Sequence, residues 1–229
     1  MSQNLLKRIL TSIVLLSLLF FINFSQQYIF IISIYVLGLV ICLEANNLFS
    51  KLLIKKHIKK KFILNQFNIK FVILNLATFA YIFFIFCYLS YEIHKSESPY
   101  FFLYIVSICF FTDIGGYVFG KIIGGKKLSK ISPNKTISGT FGSFILSIVP
   151  LILVLNLDYI DLDFNLQNII FCLSISLISQ LGDLFISYIK RKAKIKDTGK
   201  LLPGHGGVLD RVDGIIFAVP FSYFLLKLL

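Results

Sequence analysis

Acidic residues, a histidine, several glycines and many cations lie close together near the C-terminal end of the chain. The segment reads Lys190-Arg-Lys-Ala-Lys-Ile-Lys-Asp-Thr-Gly-Lys-Leu-Leu-Pro-Gly-His-Gly-Gly-Val-Leu-Asp-Arg-Val-Asp213. Asp210 and Asp213 are three residues apart, so they share a face if a helix starts here. Asp197 adds a third carboxylate. Because Mg²⁺ is usually held by one or two carboxylates plus substrate phosphates, the pattern indicates a divalent metal with a polyphosphate. Helix N-capping would explain only one of these aspartates.

A second polar segment follows an apolar run in the middle of the chain. It reads Lys121-Ile-Ile-Gly-Gly-Lys-Lys-Leu-Ser-Lys-Ile-Ser-Pro-Asn-Lys-Thr-Ile-Ser-Gly-Thr-Phe-Gly142. Backbone amides, hydroxyl groups and ammonium groups are common phosphate ligands. The segment lacks the GxxxxGK[ST] pattern of a Walker A loop. Its composition therefore leaves both phosphate binding and an ordinary solvated loop open.

Three acidic residues fall inside apolar runs, where an ionisable group is costly and tends to mark a functional site. They are Glu44, Asp113 and Asp183. Glu44 lies near one end of its run, where it would reach the membrane interface. Asp183 belongs to a stripe that shares one face of a helix with period 3.6: Ser176, Gln180, Asp183, Ser187 and Lys190. Such a stripe serves either a site or polar contacts between helices.

The segment around Asp113 is rich in glycine. Gly115, Gly116 and Gly120 make one side of the predicted helix thin enough for another backbone to approach. Helix packing explains these glycines, but it does not explain Thr112 and Asp113. We therefore expect Asp113 to take part in a site.

The composition indicates the elements that must position these residues. The 229 residues are 57% hydrophobic and 15% charged, with 23 Lys and Arg against 11 Asp and Glu and a net charge of +12. Mean hydropathy is +0.84. These values exclude a disordered chain and argue against a soluble nucleic-acid-binding protein. A membrane-spanning helix takes about 20 apolar residues. We therefore predict an all-α polytopic integral membrane protein with about seven transmembrane helices, within a range of six to eight. The predicted spans are 9–24, 28–50, 71–91, 99–120, 139–157, 166–189 and 213–229.

The distribution of cations predicts the orientation of these spans. Loops on the cytoplasmic side carry an excess of Lys and Arg. With the N-terminus inside, every Lys and Arg except Lys95 and Lys227 falls in a cytoplasmic segment. The basic block between 51 and 70 is explained by orientation and contact with anionic lipids. The four cysteines lie in apolar runs without CxxC spacing, so neither a zinc site nor a disulfide framework is indicated.

Several segments together resemble the phosphatidate cytidylyltransferase (CDP-diacylglycerol synthase) family. They are Ser187-Tyr-Ile-Lys-Arg-Lys-Ala-Lys-Ile-Lys-Asp197, Leu202-Pro-Gly-His-Gly-Gly-Val-Leu-Asp-Arg-Val-Asp213, Gln180-Leu-Gly-Asp183, Ile131-Ser-Pro-Asn-Lys-Thr136 and the segment around Asp113. The resemblance covers about residues 105–220. The chain departs from the family at Ser138, where the family usually has glutamate, and at Ser143, where it often has glycine. No role for a carboxylate at 138 is therefore carried over.

The resemblance implies a Mg²⁺-dependent nucleotidyltransferase that joins CTP to phosphatidate within the membrane. It implies catalytic roles for one group of residues: Asp183, Lys190, Arg191, His205, Asp210 and Arg211. It implies substrate-binding roles for a second group: Asp113, Ser132, Lys135, Thr136, Lys196, Asp197, Gly206 and Gly207. The Mg²⁺ ligands it implies are Asp183 and Asp210, followed by Asp213 and Asp113, and a second cation stays open. His205 would contact pyrophosphate or position a ligand.

The predicted spans and the resemblance, which covers about residues 105–220, together suggest an organisation for the chain. Residues 1–104 would form N-terminal transmembrane helices with a basic cytoplasmic loop. Residues 105–229 would form a catalytic membrane region with cytoplasmic loops 121–138 and 190–212. The expected location is a bacterial inner membrane, with lipids but no nucleic acid as partners and a homodimer left open. Two other functions stay open: a CTP-dependent lipid kinase and a cation-coupled transporter, which intramembrane Asp113 and Asp183 would also suit.

Overall fold

The computed structural model describes residues 3–54, 64–128, 132, 135–155, 160 and 162–228, and within these ranges it is helical without a named strand. The helices, in chain order, are α1 (Gln3–Phe24), α2 (Gln27–Ile54), α3 (Leu64–Ala80), a π-helical segment (Tyr81–Cys87), α4 (Tyr88–Ser96), α5 (Pro99–Ile122), α6 (Ile137–Leu146), α7 (Val149–Val154), α8 (Leu166–Lys192), α9 (Leu209–Val212) and α10 (Ile215–Leu228). The predicted all-α architecture is confirmed. The basic residues at 55–61 lie outside the described residues.

Among the residues that the structure describes, five helical segments are long and apolar enough to cross a membrane: Gln27–Leu53, Ile69–Ser96, Pro99–Ile122, Ile137–Val154 and Leu166–Lys192. Arg8–Phe24 is a shorter apolar helix, and α10 has 14 residues. Each of the seven predicted spans thus corresponds to a helical segment. The chain is a helical membrane protein, and membrane crossing by α1 and α10 stays a prediction.

Local sequence explains several of the helix boundaries. The predicted break between the first two spans is confirmed, since α1 ends at Phe24 and α2 begins at Gln27. Ser98 begins α5 by accepting a hydrogen bond from Phe101 N, with Pro99 in the first turn. Two predicted spans are less regular than expected. The 71–91 span contains the π-helical segment, and the 139–157 span divides where Pro150 opens α7.

Packing divides the chain into two compact units that do not follow the predicted boundary at residue 104. The first unit contains Met1–Tyr91 and Ile189–Val212, and the second contains Glu92–Tyr188 and Asp213–Leu229. The loop after α8 therefore packs with the N-terminal helices. The division into an N-terminal and a catalytic region stays a prediction about function, and each unit is described by itself below.

Candidate active site

In the second unit, Asp183 lies on a hydrogen-bonded stripe of α8. Gln180 donates to Ser176 Oγ over 3.3 Å, and Ser187 donates to Asp183 Oδ1 over 3.2 Å. Ser176 is fully buried and also accepts a hydrogen bond from Thr112 on α5. The predicted polar face thus exists, and part of it joins two helices. Asp183 lies toward the C-terminal end of this stripe.

The carboxylate of Asp183 has a positively charged side chain and a second acidic side chain beside it. Its Oδ2 forms a short ion pair with Lys135 Nζ, and the side chain of Asp213 lies close enough to affect its charge. About a quarter of the Asp183 side chain stays exposed, as does 30% of Lys135. Two carboxylates in contact repel each other unless a cation lies beside them. This group of Lys135, Asp183 and Asp213 is called the Asp183 cluster below.

Two glycines bring the backbone of Asp213 next to α8. A Cβ atom at Gly182 would lie 2.6 Å from Phe217 Cδ2 and 2.9 Å from the Asp213 carbonyl oxygen. A Cβ atom at Gly214 would collide with the Ser179 side chain. Only residues without a side chain permit this approach, so both glycines help to place Asp213 beside Asp183.

The glycines of α5 pack against those of α6, as the sequence predicted. A Cβ atom at Gly115 would lie 2.8 Å from the Gly142 carbonyl carbon, and one at Gly139 would lie 2.7 Å from the Gly116 carbonyl oxygen. Ser143, where the family often has glycine, donates a hydrogen bond of 2.8 Å to the Thr112 carbonyl. This packing fixes α6, whose N-terminus follows Lys135 directly.

In the first unit, a nearly buried ion pair holds the loop after α8. Lys190 Nζ lies 2.8 Å from Asp210 Oδ1, and the two side chains are 9% and 7% exposed. Asp210 Oδ2 accepts backbone hydrogen bonds from Thr198 at 2.8 Å and Gly207 at 2.9 Å. Burial raises the pKa of the Asp210 carboxyl, but the hydrogen bonds from Lys190, Gly207 and Thr198 more than offset this effect. The net pKa lies below its usual value, so this carboxylate is ionised at neutral pH.

His205 lies where the glycine-rich turn meets α1. Its Nδ1 is 2.6 Å from Thr11 Oγ1 and its Nε2 is 3.4 Å from Ser12 Oγ. Arg8 donates to the neighbouring Gly204 carbonyl over 3.0 Å. Desolvation, followed by the positive charges of Arg211 and Arg8, lowers the pKa of His205 below its usual value. A neutral imidazole at pH 7 suits positioning better than the binding of an anion by charge.

Glu44 makes contacts in the structure that the sequence did not predict. The sequence located it near a membrane interface, but it is 3% exposed and accepts hydrogen bonds from Thr198, Val208 and Leu209. Its partners lie 154 to 165 residues away in the chain. The one signal in the sequence was a glutamate inside an apolar run.

The structure places the remaining predicted site residues in several settings. Thr136 caps α6 by accepting from Gly139 N, and the Ser132 carbonyl accepts from Lys135 N over 3.1 Å. Arg211 donates to the His205 carbonyl over 2.9 Å, and Arg191 donates to the Ile195 carbonyl. Gly206 adopts a φ of +88°, which favours glycine. The exposed side chains among the predicted residues are those of Asp113, Arg191, Lys196, Asp197 and Arg211.

The donor set can be compared with the needs of Mg²⁺. Within the described residues, no group of three or more His, Cys, Asp and Glu side chains is arranged to hold a metal ion. Mg²⁺ does not need such a group, because it usually binds one or two carboxylates and completes its shell with waters and substrate phosphates. The partly exposed Asp183 and Asp213 fit this mode. Asp210 differs, since both of its oxygens already accept hydrogen bonds from the protein.

Comparison with known proteins identifies the family. A family model described as the cytidylyltransferase family matches residues 45–229. The chain belongs to this family. A phosphatidate cytidylyltransferase of Staphylococcus saprophyticus is 37% identical over 206 residues, which cover 83% of this chain and 76% of that relative. Phosphatidate cytidylyltransferases of Staphylococcus epidermidis and Staphylococcus aureus are 42% and 44% identical over 135 residues, 58% of this chain and 51% of each relative.

The match to the cytidylyltransferase family covers every predicted site residue. It begins one residue after Glu44. Arg8, Thr11 and Ser12, which contact the glycine-rich turn, also precede it. This member of the cytidylyltransferase family therefore supports its glycine-rich turn partly with residues outside the family match.

Proposed function

We propose that this chain is a phosphatidate cytidylyltransferase, which converts CTP and phosphatidate to CDP-diacylglycerol and pyrophosphate. The relative from Staphylococcus saprophyticus carries that name and aligns with most of the chain. The observation that carries the proposal is the Asp183 cluster, in which a lysine and two carboxylates meet at a partly exposed position of a membrane helix. Such a group can bind both a phosphate and a cation.

The reaction needs positioning and charge neutralisation more than covalent chemistry. A phosphate oxygen of phosphatidate attacks the α-phosphorus of CTP. The new P–O bond forms as the bond to the β,γ-pyrophosphate breaks, and pyrophosphate leaves with the electron pair. Together the reactants bring roughly six negative charges to one place. Since the phosphate of phosphatidate is largely ionised at pH 7, no side chain has to remove a proton from it.

The described residues have distinct roles in this scheme. Lys135 binds a phosphate when substrate replaces the Asp183 carboxylate as its partner. Lys190 keeps Asp210 ionised and is itself held in place by it. Arg211 presents an exposed guanidinium group next to the glycine-rich turn, where it can neutralise phosphate charge. A cation held beside a phosphate stabilises the charge that develops as pyrophosphate leaves.

Mg²⁺ belongs to this proposal as a cofactor held by Asp183 and Asp213. When bound, it would neutralise phosphate charge and orient the phosphate oxygens. The sequence also predicts Asp210 as a ligand. Both oxygens of Asp210 accept hydrogen bonds from Lys190, Thr198 and Gly207, so Asp183 and Asp213 are the more open carboxylates.

The orientation of the protein is part of the same proposal. The loops that contain Lys135 and His205 carry many of the cations, and under the positive-inside rule this supports a cytoplasmic location for both. Phosphatidate would enter from the cytoplasmic leaflet, with its acyl chains against the apolar surface of the helices. Labelling of single introduced cysteines from each side of closed vesicles tests this orientation.

The proposed reaction is tested by following the label of CTP with the purified protein, Mg²⁺ and phosphatidate in mixed micelles. Label in the α-phosphate is expected in the lipid product and label in the γ-phosphate in pyrophosphate. A lipid kinase would instead transfer the γ-label to lipid and release CDP. Transfer of the γ-label, or no product from folded protein, would overturn the proposal.

A further inference from the structure

A buried carboxylate on α2 holds the loop that follows α8. Glu44 Oε2 accepts hydrogen bonds of 2.9 Å from Thr198 Oγ1 and from Leu209 N, and its Oε1 accepts one of 3.0 Å from Val208 N. The residue is 3% exposed. A buried carboxylate is costly unless its oxygens are paired, and here three donors from one loop pair them.

The glycines of this loop make room for Glu44. A Cβ atom at Gly199 would lie 2.9 Å from Glu44 Cδ, and a Cβ atom at Gly207 would collide with Glu44 Oε2. Gly199 and Gly207 are themselves close, since the same Cβ atom at Gly207 would lie 2.7 Å from Gly199 N. The loop thus closes around the carboxylate, and phosphate binding alone does not explain these two glycines.

The contacts of Glu44 continue directly into those of Asp210. Thr198 bonds both carboxylates, since its hydroxyl donates to Glu44 and its backbone N–H donates to Asp210. At the end of the loop that precedes α9, Gly207 N donates to Asp210 and Val208 N donates to Glu44. Asp210 in turn holds Lys190. One continuous set of hydrogen bonds thus joins Glu44 to Asp210 and Lys190.

We propose that Glu44 is a positioning residue, which fixes the conformation of loop 193–208 and thereby the placement of Asp210, Lys190 and His205. It acts through Thr198 and the backbone of Val208 and Leu209, without touching substrate. The effect on turnover rests on the proposed function, whereas the effect on the loop does not. Glu44 lies one residue before the family match.

Hydrogen exchange of the full-length protein in detergent tests the effect on the loop. Glu44→Gln keeps the shape of the side chain but turns one acceptor into a donor that faces N–H or O–H groups. We expect peptides that cover 198–209 to exchange their amide hydrogens roughly tenfold faster or more, because about one charge-assisted hydrogen bond is lost. Peptides from α5 and α6 should be unchanged. The matched control is Glu97→Gln, at an exposed glutamate, which should behave as the wild type.

Substitutions at Thr198 separate positioning from general stability. Thr198→Ser keeps the hydroxyl group and should keep the slow exchange, whereas Thr198→Val should accelerate it. In the double variant with Glu44→Gln, Thr198→Val should add little, because both changes remove the same contact. Wild-type exchange in both Glu44→Gln and Thr198→Val would overturn the proposal. So would equal acceleration in α5 and α6, since that pattern indicates global destabilisation.

Turnover measurements add the link to function. If Glu44 positions the loop, kcat should fall roughly tenfold or more in Glu44→Gln, and Thr198→Ser should retain most of it. Normal kcat in a variant with fast loop exchange would show that the loop conformation does not matter for turnover, and would contradict that part of the proposal. If the wild-type protein shows no cytidylyl transfer, the exchange result still decides the role of Glu44. Failure of the proposed function can therefore be distinguished from failure of the positioning role.

Discussion

Lys190 and Asp210 form an ion pair of 2.8 Å in which both side chains are less than a tenth exposed. The pair joins the last turns of α8 to the start of α9, and Asp210 also accepts two backbone hydrogen bonds from the intervening loop. Little of either side chain is open to water. Each therefore depends on the other, and the loop depends on both.

Removal of Lys190 should destabilise the protein strongly. In Lys190→Met, Asp210 would be left as a buried charge without its cationic partner, which typically costs about 3–5 kcal/mol. Denaturant unfolding in detergent micelles measures this loss. Lys200→Met, at an exposed lysine of the same loop, serves as the control. An unfolding free energy for Lys190→Met that equals the control would show that the pair contributes little.

The same pair predicts a loss of stability in acid. The hydrogen bonds of Asp210 depress its folded pKa below the ordinary value of 3.8. Its contribution to stability is therefore fully present above about pH 3.8 and is lost as the pH falls through the lower, folded value. Thermal unfolding from pH 6 to pH 2 should show a step that is absent in Asp210→Asn. An identical acid profile in both proteins would contradict the assignment.

The sequence predicted the helices and the polar face of α8 on which Asp183 lies, because both depend on local pattern. Apolar length predicted the spans, and the spacing of Gly115 and Gly116 predicted the close approach of another helix, which α6 makes. The spacing of Gln180, Asp183 and Ser187 predicted a shared polar face, and their hydrogen bonds lie along it. These features follow from helical periodicity alone.

Other features depend on contacts between distant parts of the chain and could not be predicted. The donors to Glu44 lie more than 150 residues away, so its role was not visible. The contact between His205 and Thr11 has the same origin, at a separation of 194 residues. The π-helical segment Tyr81–Cys87 carries neither glycine nor proline, and it lies against Gly38, where a Cβ atom would be 2.8 Å from Cys87 Sγ.

Even the smallest side chain at position 182 should lower kcat. In Gly182→Ala, the added methyl group would meet Phe217 and the Asp213 carbonyl at 2.6 and 2.9 Å, so the segment with Asp213 must move away from α8. Misplacement by about 1 Å can cost on the order of 100-fold in rate. We expect kcat to fall at least tenfold while the protein stays folded by circular dichroism. Ala77→Val, at an exposed position of α3, controls for added bulk, and equal kcat in the two variants would refute this role.

The central claim is that the Asp183 carboxylate serves cytidylyl transfer. Its most direct test is the rate of CDP-diacylglycerol formation by Asp183→Asn, which keeps the size of the side chain and removes its charge. Asp163→Asn, the same change at an acidic residue outside the cluster, is the control. We predict that kcat falls on the order of 100-fold or more in Asp183→Asn and is unchanged in Asp163→Asn, with both proteins folded. Wild-type turnover by folded Asp183→Asn would contradict the claim.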